Sequence, residues 1–387
     1  MKHLLSGAGL LALALAAGPP AFAQTSDPTD IAARDRGPHR PQIEVAFVLD
    51  TTGSMSGLIA GAKQKVWSIA SEILETEDQA DIRFGLIGYR DRGDDYVTRT
   101  YDLTDDIHGI YGHLLSFEAQ GGGDRPESVN QALNEAVTQF QWSTDPRTLR
   151  LVFLVGDSPP HEYDDDIDYD RTCELAEGRG IRVNTVLAGN AQDTGAVWRA
   201  IAHLCGGDYM EIPQDGGVQQ MATPYDQQIE QLQQRINLTV VPYGNREEQA
   251  YLNEQIEMTA SANSEVAADM AAVRFKGGKW NRVLTGGNDL VEDYEDGAID
   301  LTAIDADELP EEYAELDAGA LRAVIDERVA ERGLLNNEMA GLVDERDAWI
   351  AEELERRADD AEADGFDLQV SRTIRAQAAD AGIAYRD

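Results

Sequence analysis

The sequence contains very little lysine and very little cysteine. Only 5 of its 387 residues are Lys, whereas Asp and Glu together number 72, and the formal net charge is −40. Proteins that bind DNA or RNA neutralise phosphate groups with Lys and Arg, so we expect no nucleic-acid partner. Two cysteines cannot form a zinc site of four thiolates. An excess of acidic side chains instead favours a soluble protein.

Long hydrophobic runs are absent beyond the first 23 residues. Residues 1–23 are typical of a secretory signal peptide, with a polar start, an apolar stretch over 9–17 and the cleavage pattern Ala21-Phe22-Ala23. The apolar stretch ends at Gly18-Pro19-Pro20, short of the roughly 20 residues that a membrane helix needs. The sequence therefore predicts a periplasmic or secreted protein whose mature chain has no transmembrane segment.

The two cysteines, Cys173 and Cys205, both lie in predicted helices of the same domain. An exported protein can join such a pair in a disulfide bond. Two buried free thiols are the alternative, and the sequence leaves both open.

Short apolar runs alternate with helical patterns once a polar linker, residues 24–41, has ended. Runs rich in Val, Ile and Leu are typical of strands that are covered on both faces. Strand and helix in alternation predict an α/β fold with a doubly wound, mostly parallel sheet, which we assign to residues 42–236. The predicted strands are 43–49, 82–89, 149–155 and 181–188, and helical patterns cover 58–74, 126–140 and 198–204.

Residues 237–387 are predicted to form a mainly α-helical, acidic C-terminal region. A long tract, residues 310–361, is dense in charge, and some of its apolar spacings fit a coiled-coil seam. Gly333 and Gly341 favour a hairpin as much as a single rod. We interpret the charge as a solvated helix surface, and self-association through these helices is a further possibility.

Three oxygen-rich loops follow predicted strands or precede a predicted helix. Asp50, Thr52 and Ser54 are spaced at i, i+2 and i+4 directly after the first strand. Asp124 follows three glycines, and Asp157 ends another strand. Ligands of doubly wound sheets bind beyond the carboxyl ends of the strands, where these side chains would meet. Carboxylates and hydroxyls suit a hard divalent cation, so this pattern predicts a metal site.

The string VLDTTGSMS resembles the metal-ion-dependent adhesion site, DxSxS, of von Willebrand factor type A domains, with Thr52 in the middle position. The resemblance covers about residues 43–213 and implies that Asp50, Thr52, Ser54 and Asp157 belong to the metal site. The second loop departs from the family, since many members have Thr where this chain has Asp124. Either Asp124 replaces that ligand, or it caps the helix predicted to begin at Pro126.

The resemblance also implies a function. In this family a divalent ion, usually Mg²⁺ with Ca²⁺ or Mn²⁺ as alternatives, binds an Asp or Glu of a partner protein. We therefore expect an adhesion or scaffold module and not an enzyme.

Two other interpretations of these residues stay open. Asp-x-Thr-Gly after a strand also resembles magnesium-dependent phosphatases that use an aspartate nucleophile, here Asp50, but no Lys lies between residues 66 and 156 to offset phosphoryl charge. His161 with residues 164–166 could hold a second cation, although a solvated loop is the simpler interpretation.

Overall fold

The computed structural model describes residues 41–57, 59, 73, 80–212, 222–262, 264–275, 282–284, 286–357 and 366–384. The predicted signal peptide, nearly all of the linker and most of the helix predicted over 58–74 lie outside these ranges. Among the described helices, none combines the length and the apolar character needed to cross a membrane.

A six-stranded sheet carries the first half of the chain, with strand order β3-β2-β1-β4-β5-β6. All neighbouring strands are parallel except β3, which runs antiparallel to β2 at the edge. The mostly parallel sheet is therefore confirmed. The strands are β1 Gln42–Asp50, β2 Asp81–Tyr89, β3 Thr98–Thr104, β4 Leu149–Gly156, β5 Ile181–Ala188 and β6 Gly206–Ile212.

Helices cover both faces of the sheet, which explains why the central strands are continuously apolar. They are α1 Ile107–Ser116 on one face, and α2 Val129–Thr138, α3 Tyr169–Gly178 and α4 Gln192–Leu204 on the other. Phe47, Phe84 and Phe153 fill the core on the α1 side. On the opposite side Cys173 of α3 and Cys205, just after α4, form a disulfide bond, which settles the alternative left by the sequence.

The C-terminal region is helical, as predicted. Its longest helix, α9, runs unbroken through Gly333 and Gly341, so the hairpin alternative is wrong. A Cβ atom added at either glycine would meet nothing within 4 Å, so no close contact requires glycine at these positions. The helices are α5 Asp226–Asn237, α6 Arg246–Ser261, α7 Ser264–Phe275, α8 Leu290–Glu295, α9 Ala318–Arg357 and α10 Phe366–Asp380.

The apolar face of α9 packs inside the chain. Leu335, Met339 and Val343 share a hydrophobic cluster with Ile229 of α5 and Ala268 of α7. This packing explains the seam-like spacing without a second chain. Coiled-coil self-association stays a prediction.

The last helix, α10, returns to the sheet. Val370 and Ile374 join the same core as Met210 of β6. Gln377 exchanges two hydrogen bonds, of 2.8 and 3.0 Å, with the buried side chain of Asn184 in β5. The described residues from 41 onward thus belong to one compact unit, in which α10 adds to the cover of the sheet.

Candidate metal centre

The loop after β1 arranges a chain of oxygen atoms. Asp50 Oδ1 accepts hydrogen bonds from the backbone N–H of Thr52 at 2.8 Å and from its hydroxyl at 2.6 Å. The hydroxyls of Thr52 and Ser54 lie 3.0 Å apart, and Ser54 donates to Asp157 Oδ1 at 2.9 Å. The structure therefore brings together four of the five side chains predicted to bind a metal.

Parallel pairing of β1 with β4 places Asp50 beside Asp157. Leu49 is in register with Val155, so both acids lie at the carboxyl ends of adjacent strands. Gly156 allows this close approach, because a Cβ atom added there would lie 3.1 Å from the Cβ of Asp50. Two acids more than 100 residues apart in sequence thus meet because of the sheet topology.

Asp50 is buried, with 0% of its surface exposed, and its Oδ2 has no hydrogen-bond partner among the described residues. Burial raises the pKa of Asp50 to about 7, and the charge of Asp157 acts in the same direction. Hydrogen bonding to Thr52 and to the backbone of Asp157 lowers this pKa. An unpartnered buried carboxylate oxygen costs free energy, and a cation would remove that cost. The hydroxyl and carboxylate oxygens around it are ligands that Mg²⁺ and Ca²⁺ prefer, so these residues fit a divalent cation.

Glu127 is a residue of this edge to which the sequence analysis assigned no role. It is buried, and its Oε2 has no hydrogen-bond partner among the described residues. Burial raises the pKa of Glu127 to about 9, and the charges of Asp50 and Asp91 act in the same direction. In the sequence Glu127 follows a proline and precedes a helix, a position in which Glu is common, so no local signal marked it.

Asp124, the fifth predicted ligand, lies in a neighbouring cluster. One ligand atom each of Asp91, Asp124 and His161 lies within 4.8 Å of the others, a group that could hold a metal ion. Asp91 is held in place because its carboxylate accepts hydrogen bonds from Ser128 at 2.7 Å and Tyr163 at 2.8 Å. The proposal that Asp124 caps the following helix is wrong, because α2 begins at Val129 with Ser128 in the capping position.

His161 has partners that the sequence did not indicate. Its Nδ1 lies 3.2 Å from Asp91 Oδ2, and its ring stacks on Tyr163 with the centroids 4.0 Å apart. Arg92 engages two of the consecutive acids, Asp165 at 2.7 Å and Asp166 at 2.6 Å. The grouping of His161 with residues 164–166, which the sequence analysis gave as the less simple interpretation, is not the one that the structure shows: His161 lies with Asp91 and Asp124.

The chain thus combines an α/β sheet with acids and hydroxyls at the carboxyl ends of adjacent strands. Residues 44–221 match the family model of the von Willebrand factor A domain, which confirms that domain in this chain.

One curated protein is similar to part of this chain at low identity. A protein of Acanthamoeba polyphaga mimivirus, provisionally described as an ariadne-like RING finger protein, is 24% identical over 182 residues, which are 43% of this chain and 18% of that protein. This chain thus spans about a fifth of its relative.

Solved structures with a similar fold include the VWA domain of SpRpn10, with 11% identity, a TM-score of 0.36 and coverage of 45% of this chain and 89% of that one. Proximal thread matrix protein 1 from the mussel byssus has 13% identity and a TM-score of 0.36, with 46% and 43% covered.

Proposed function

We propose that this protein is an exported binding module that recognises an acidic residue of a partner protein through a divalent cation. The cation, Mg²⁺ or alternatively Ca²⁺ or Mn²⁺, would be held by Asp50, Thr52, Ser54 and Asp157. The single observation that carries the proposal is the buried Oδ2 of Asp50, which has no hydrogen-bond partner among the described residues. The other oxygen of the same carboxylate, Oδ1, is linked through the hydroxyls of Thr52 and Ser54 to the carboxylate of Asp157.

The burial of the four side chains suggests which side of the cation faces a partner. Asp50 and Thr52 are buried, Asp157 is half-buried, and Ser54 is exposed. The buried pair would hold the inner side of the cation. The solvent side would then be open to a carboxylate from another protein, as in the family that the sequence resembles. We place Asp124 in the neighbouring group with Asp91 and His161, and not among the ligands of this cation.

A titration of the folded protein with Mg²⁺, followed by calorimetry, tests the metal site. We expect Asp50→Ala to abolish binding, since this carboxylate is the innermost ligand. Glu177→Ala is the matched control, because Glu177 is an exposed acid on α3. An Asp50→Ala variant with the Mg²⁺ affinity of the parent would defeat the proposal.

Affinity capture from a periplasmic extract tests the partner. The parent protein in Mg²⁺ should retain a protein that neither the parent in EDTA nor Asp50→Ala retains. Replacing acidic residues of the captured protein with their amides should then identify one whose loss prevents binding. Capture that is equal in Mg²⁺ and EDTA would contradict a metal-dependent contact.

The phosphatase alternative requires Asp50 to attack a substrate. In the structure its Oδ1 already accepts two hydrogen bonds from Thr52, and the side chain is fully buried. We therefore propose a binding module without catalytic activity. Hydrolysis of p-nitrophenyl phosphate that depends on both Mg²⁺ and Asp50 would overturn this choice.

A further inference from the structure

We infer that the partner carries its metal-binding Asp or Glu within a segment rich in Lys and Arg, and that exposed acids beside the proposed metal site bind those positive charges. This inference rests on the proposed function and adds to it the chemical character of the partner. Three features support it: the excess of acids around the site, the small number of them that the chain neutralises itself, and the firm attachment of the loop that carries them.

The loops around the proposed metal site are more acidic than the rest of the chain. They contain 14 Asp or Glu residues, three Arg and no Lys, whereas the whole sequence has 72 acidic and 32 basic residues. A single divalent cation would offset only two of these negative charges. The surface would therefore stay negative with the metal bound, and it would favour a basic partner over an acidic one. The loops are residues 50–57, 90–97, 118–127, 157–168 and 189–194.

The three arginines of these loops already have partners inside the chain. Arg92 forms ion pairs with two acids of loop 157–168, and Arg125 pairs with Asp193 at 2.6 Å. Arg90 is buried, and its guanidinium group donates to backbone carbonyls. An acidic group of a partner would therefore have to compete with an existing contact at each arginine, and the metal is the one positive charge that we propose for it.

Three acids of loop 157–168 face solvent without a counter-charge. Glu162, Asp164 and Asp168 are exposed, and none of them forms an ion pair with another described residue. Ile167 lies among them and is 45% exposed. The hydrocarbon part of a Lys or Arg side chain can cover such an apolar residue while its charged end reaches a carboxylate. Basic side chains of a partner would thus find negative charge and apolar surface together.

The loop that carries these acids is fixed beside the metal site. The hydroxyl of Tyr163 donates to Asp91 at 2.8 Å, and the backbone N–H of His161 donates to the carbonyl of Glu127 at 2.7 Å. The ion pairs of Arg92 hold the same loop from the β2 side. Charges on a loop that is already ordered bind at a lower entropic cost than charges on a free segment.

The ring of Tyr163 does not provide the contact for a basic partner. The guanidinium carbon of Arg92 lies 4.0 Å from its centroid, and the ring of His161 stacks on it with the centroids also 4.0 Å apart. Two groups at this distance cannot share one face of the ring, so both faces are covered. A cation of the partner is therefore left with the carboxylates of the loop.

An acidic surface alone would attract any cation, but this surface has a defined centre. Asp50 Oδ2 is fully buried and has no hydrogen-bond partner among the described residues, which points to a bound metal. A carboxylate of the partner would bind at that metal, and basic residues before or after it would meet the acids of loop 157–168. A partner segment thus combines one acid with several basic residues, unlike a segment that is wholly basic or wholly acidic.

Three synthetic peptides serve as probes for the full chain: an Asp flanked on both sides by Lys, an Asp flanked by Ser, and an Asn flanked by Lys. Fluorescence anisotropy in Mg²⁺ measures their affinities. We expect the Lys-flanked Asp peptide to bind at least tenfold more tightly than either of the other two. EDTA should remove this advantage over the Asn peptide, because the Asp then has no metal to bind.

Removal of the exposed acids gives the second readout. The triple variant Glu162→Gln, Asp164→Asn, Asp168→Asn should prefer the Lys-flanked Asp peptide over the Ser-flanked one by threefold or less. Calorimetry should show that this variant still binds Mg²⁺, since the proposed metal ligands are unchanged. The amides keep the shapes of three exposed side chains, so we expect the fold to be retained.

The matched control removes the same charge elsewhere. Glu327→Gln, Asp344→Asn, Glu345→Gln neutralises three exposed acids of α9 and should keep the tenfold preference of the parent. Salt provides a test that needs no variant. Between about 0.1 M and about 1 M salt the screening length falls from about 10 Å to about 3 Å, and the preference of the parent for Lys flanks should fall with it.

The outcomes distinguish this inference from the proposed function. Equal affinity of the parent for the two Asp peptides refutes the basic partner and leaves the metal-dependent contact intact. A Lys-flanked Asn peptide that binds as tightly as the Asp peptide refutes the inference as well, because charge attraction alone would then explain binding. An unchanged preference in the loop variant refutes the role of loop 157–168. A parent that binds Mg²⁺ and neither Asp peptide contradicts the proposed function, and the inference with it.

Discussion

Two regions of this molecule bury carboxylates, and they neutralise them in different ways. In the helical region Asp289 pairs with Arg332 at 2.6 Å, and both side chains are at most 2% exposed. Asp226 pairs with the buried Arg346 at 2.9 Å. At the sheet edge the charge that acts on Asp50 is that of another acid, Asp157. The helical region thus pairs these acids with its own arginines, whereas we propose that Asp50 and Asp157 take a cation from solution.

The difference separates a permanent contact from a reversible one. Arg332 and Arg346 project from the same helix, α9, and an arginine cannot dissociate from its own chain. A cation at the sheet edge can bind and leave, so its neutralising effect depends on concentration. We expect the helical pairs to set the stability of the fold, and the sheet edge to respond to the metal.

The largest effect should come from breaking a helical pair. Arg332→Met leaves the carboxylate of Asp289 buried without its positive partner and also removes the 2.7 Å hydrogen bond from Arg332 Nε to Thr239. Loss of one member of a buried pair typically costs about 3–5 kcal/mol. Urea unfolding should show a decrease of this size in the free energy of unfolding.

Arg171→Met is the control for this loss. Arg171 forms an exposed ion pair with Glu174, and such pairs are worth at most about 1 kcal/mol. If Arg332→Met and Arg171→Met lower stability equally, the helical pair is not the internal counter-charge that we describe.

The second effect concerns the metal. Mg²⁺ at a hundred times its dissociation constant should raise the free energy of unfolding of the parent by about 2.7 kcal/mol. Asp50→Ala should lose this increase, and Arg332→Met should keep it despite its lower baseline. Urea unfolding of the three proteins in EDTA and in Mg²⁺ measures both quantities. An increase that disappears in Arg332→Met would show that the two regions are not independent.

The sheet edge was predictable because short apolar runs mark where each strand begins and ends. Each of the four predicted strands is present, and parallel pairing alone places Asp50 near Asp157. Glu127 was not predictable, since its burial depends on contacts with the loop after β4, which no local pattern encodes. Asp124 was predicted to bind the metal because it stands where many members of the family have a Thr ligand. Its side chain instead lies with Asp91 and His161.

In the helical region, too, local structure was predictable from the sequence, whereas contacts between distant residues were not. Its mainly helical character was predictable, because helices are marked by local periodicity. A dense run of Arg and Glu on α9 predicts a solvated surface, yet Arg332 and Arg346 are buried. Their burial depends on acids contributed by α5, α7 and the residue before α8, and such pairings are visible only once the helices are packed.

A third effect is the pH dependence of the helical region. Burial and Asp289 raise the pKa of Glu292 to about 7, against the charges of Arg282, Arg332 and Arg274. The folded state then binds a proton more tightly than the unfolded state, so this group's contribution to stability falls as pH rises from about 5 to 8. The expected size is on the order of 2 kcal/mol.

Urea unfolding in EDTA of the parent and of Glu292→Gln at pH 5, 6.5 and 8 tests this sign. The glutamine does not titrate, so the difference between the two proteins isolates Glu292 from the acids at the sheet edge. The parent should lose stability relative to the variant as pH rises. A difference that is constant across these pH values would show that the arginines already hold Glu292 ionised.

The smallest effect, and the most direct test of the comparison, gives the sheet edge a positive charge of its own. Ser54 is exposed, and its hydroxyl lies 2.9 Å from Asp157 Oδ1, so an ammonium group in Ser54→Lys can reach the carboxylates that would hold the cation. In EDTA this variant should gain up to about 1 kcal/mol of stability, the usual limit for an exposed pair. It should also lose the response to Mg²⁺, because the lysine occupies the entrance to the site.

Ser56→Lys, at an exposed position of the same turn, is the control and should keep that response. Equal Mg²⁺ affinity in the two lysine variants would mean that the cation binds elsewhere than beside Ser54 and Asp157.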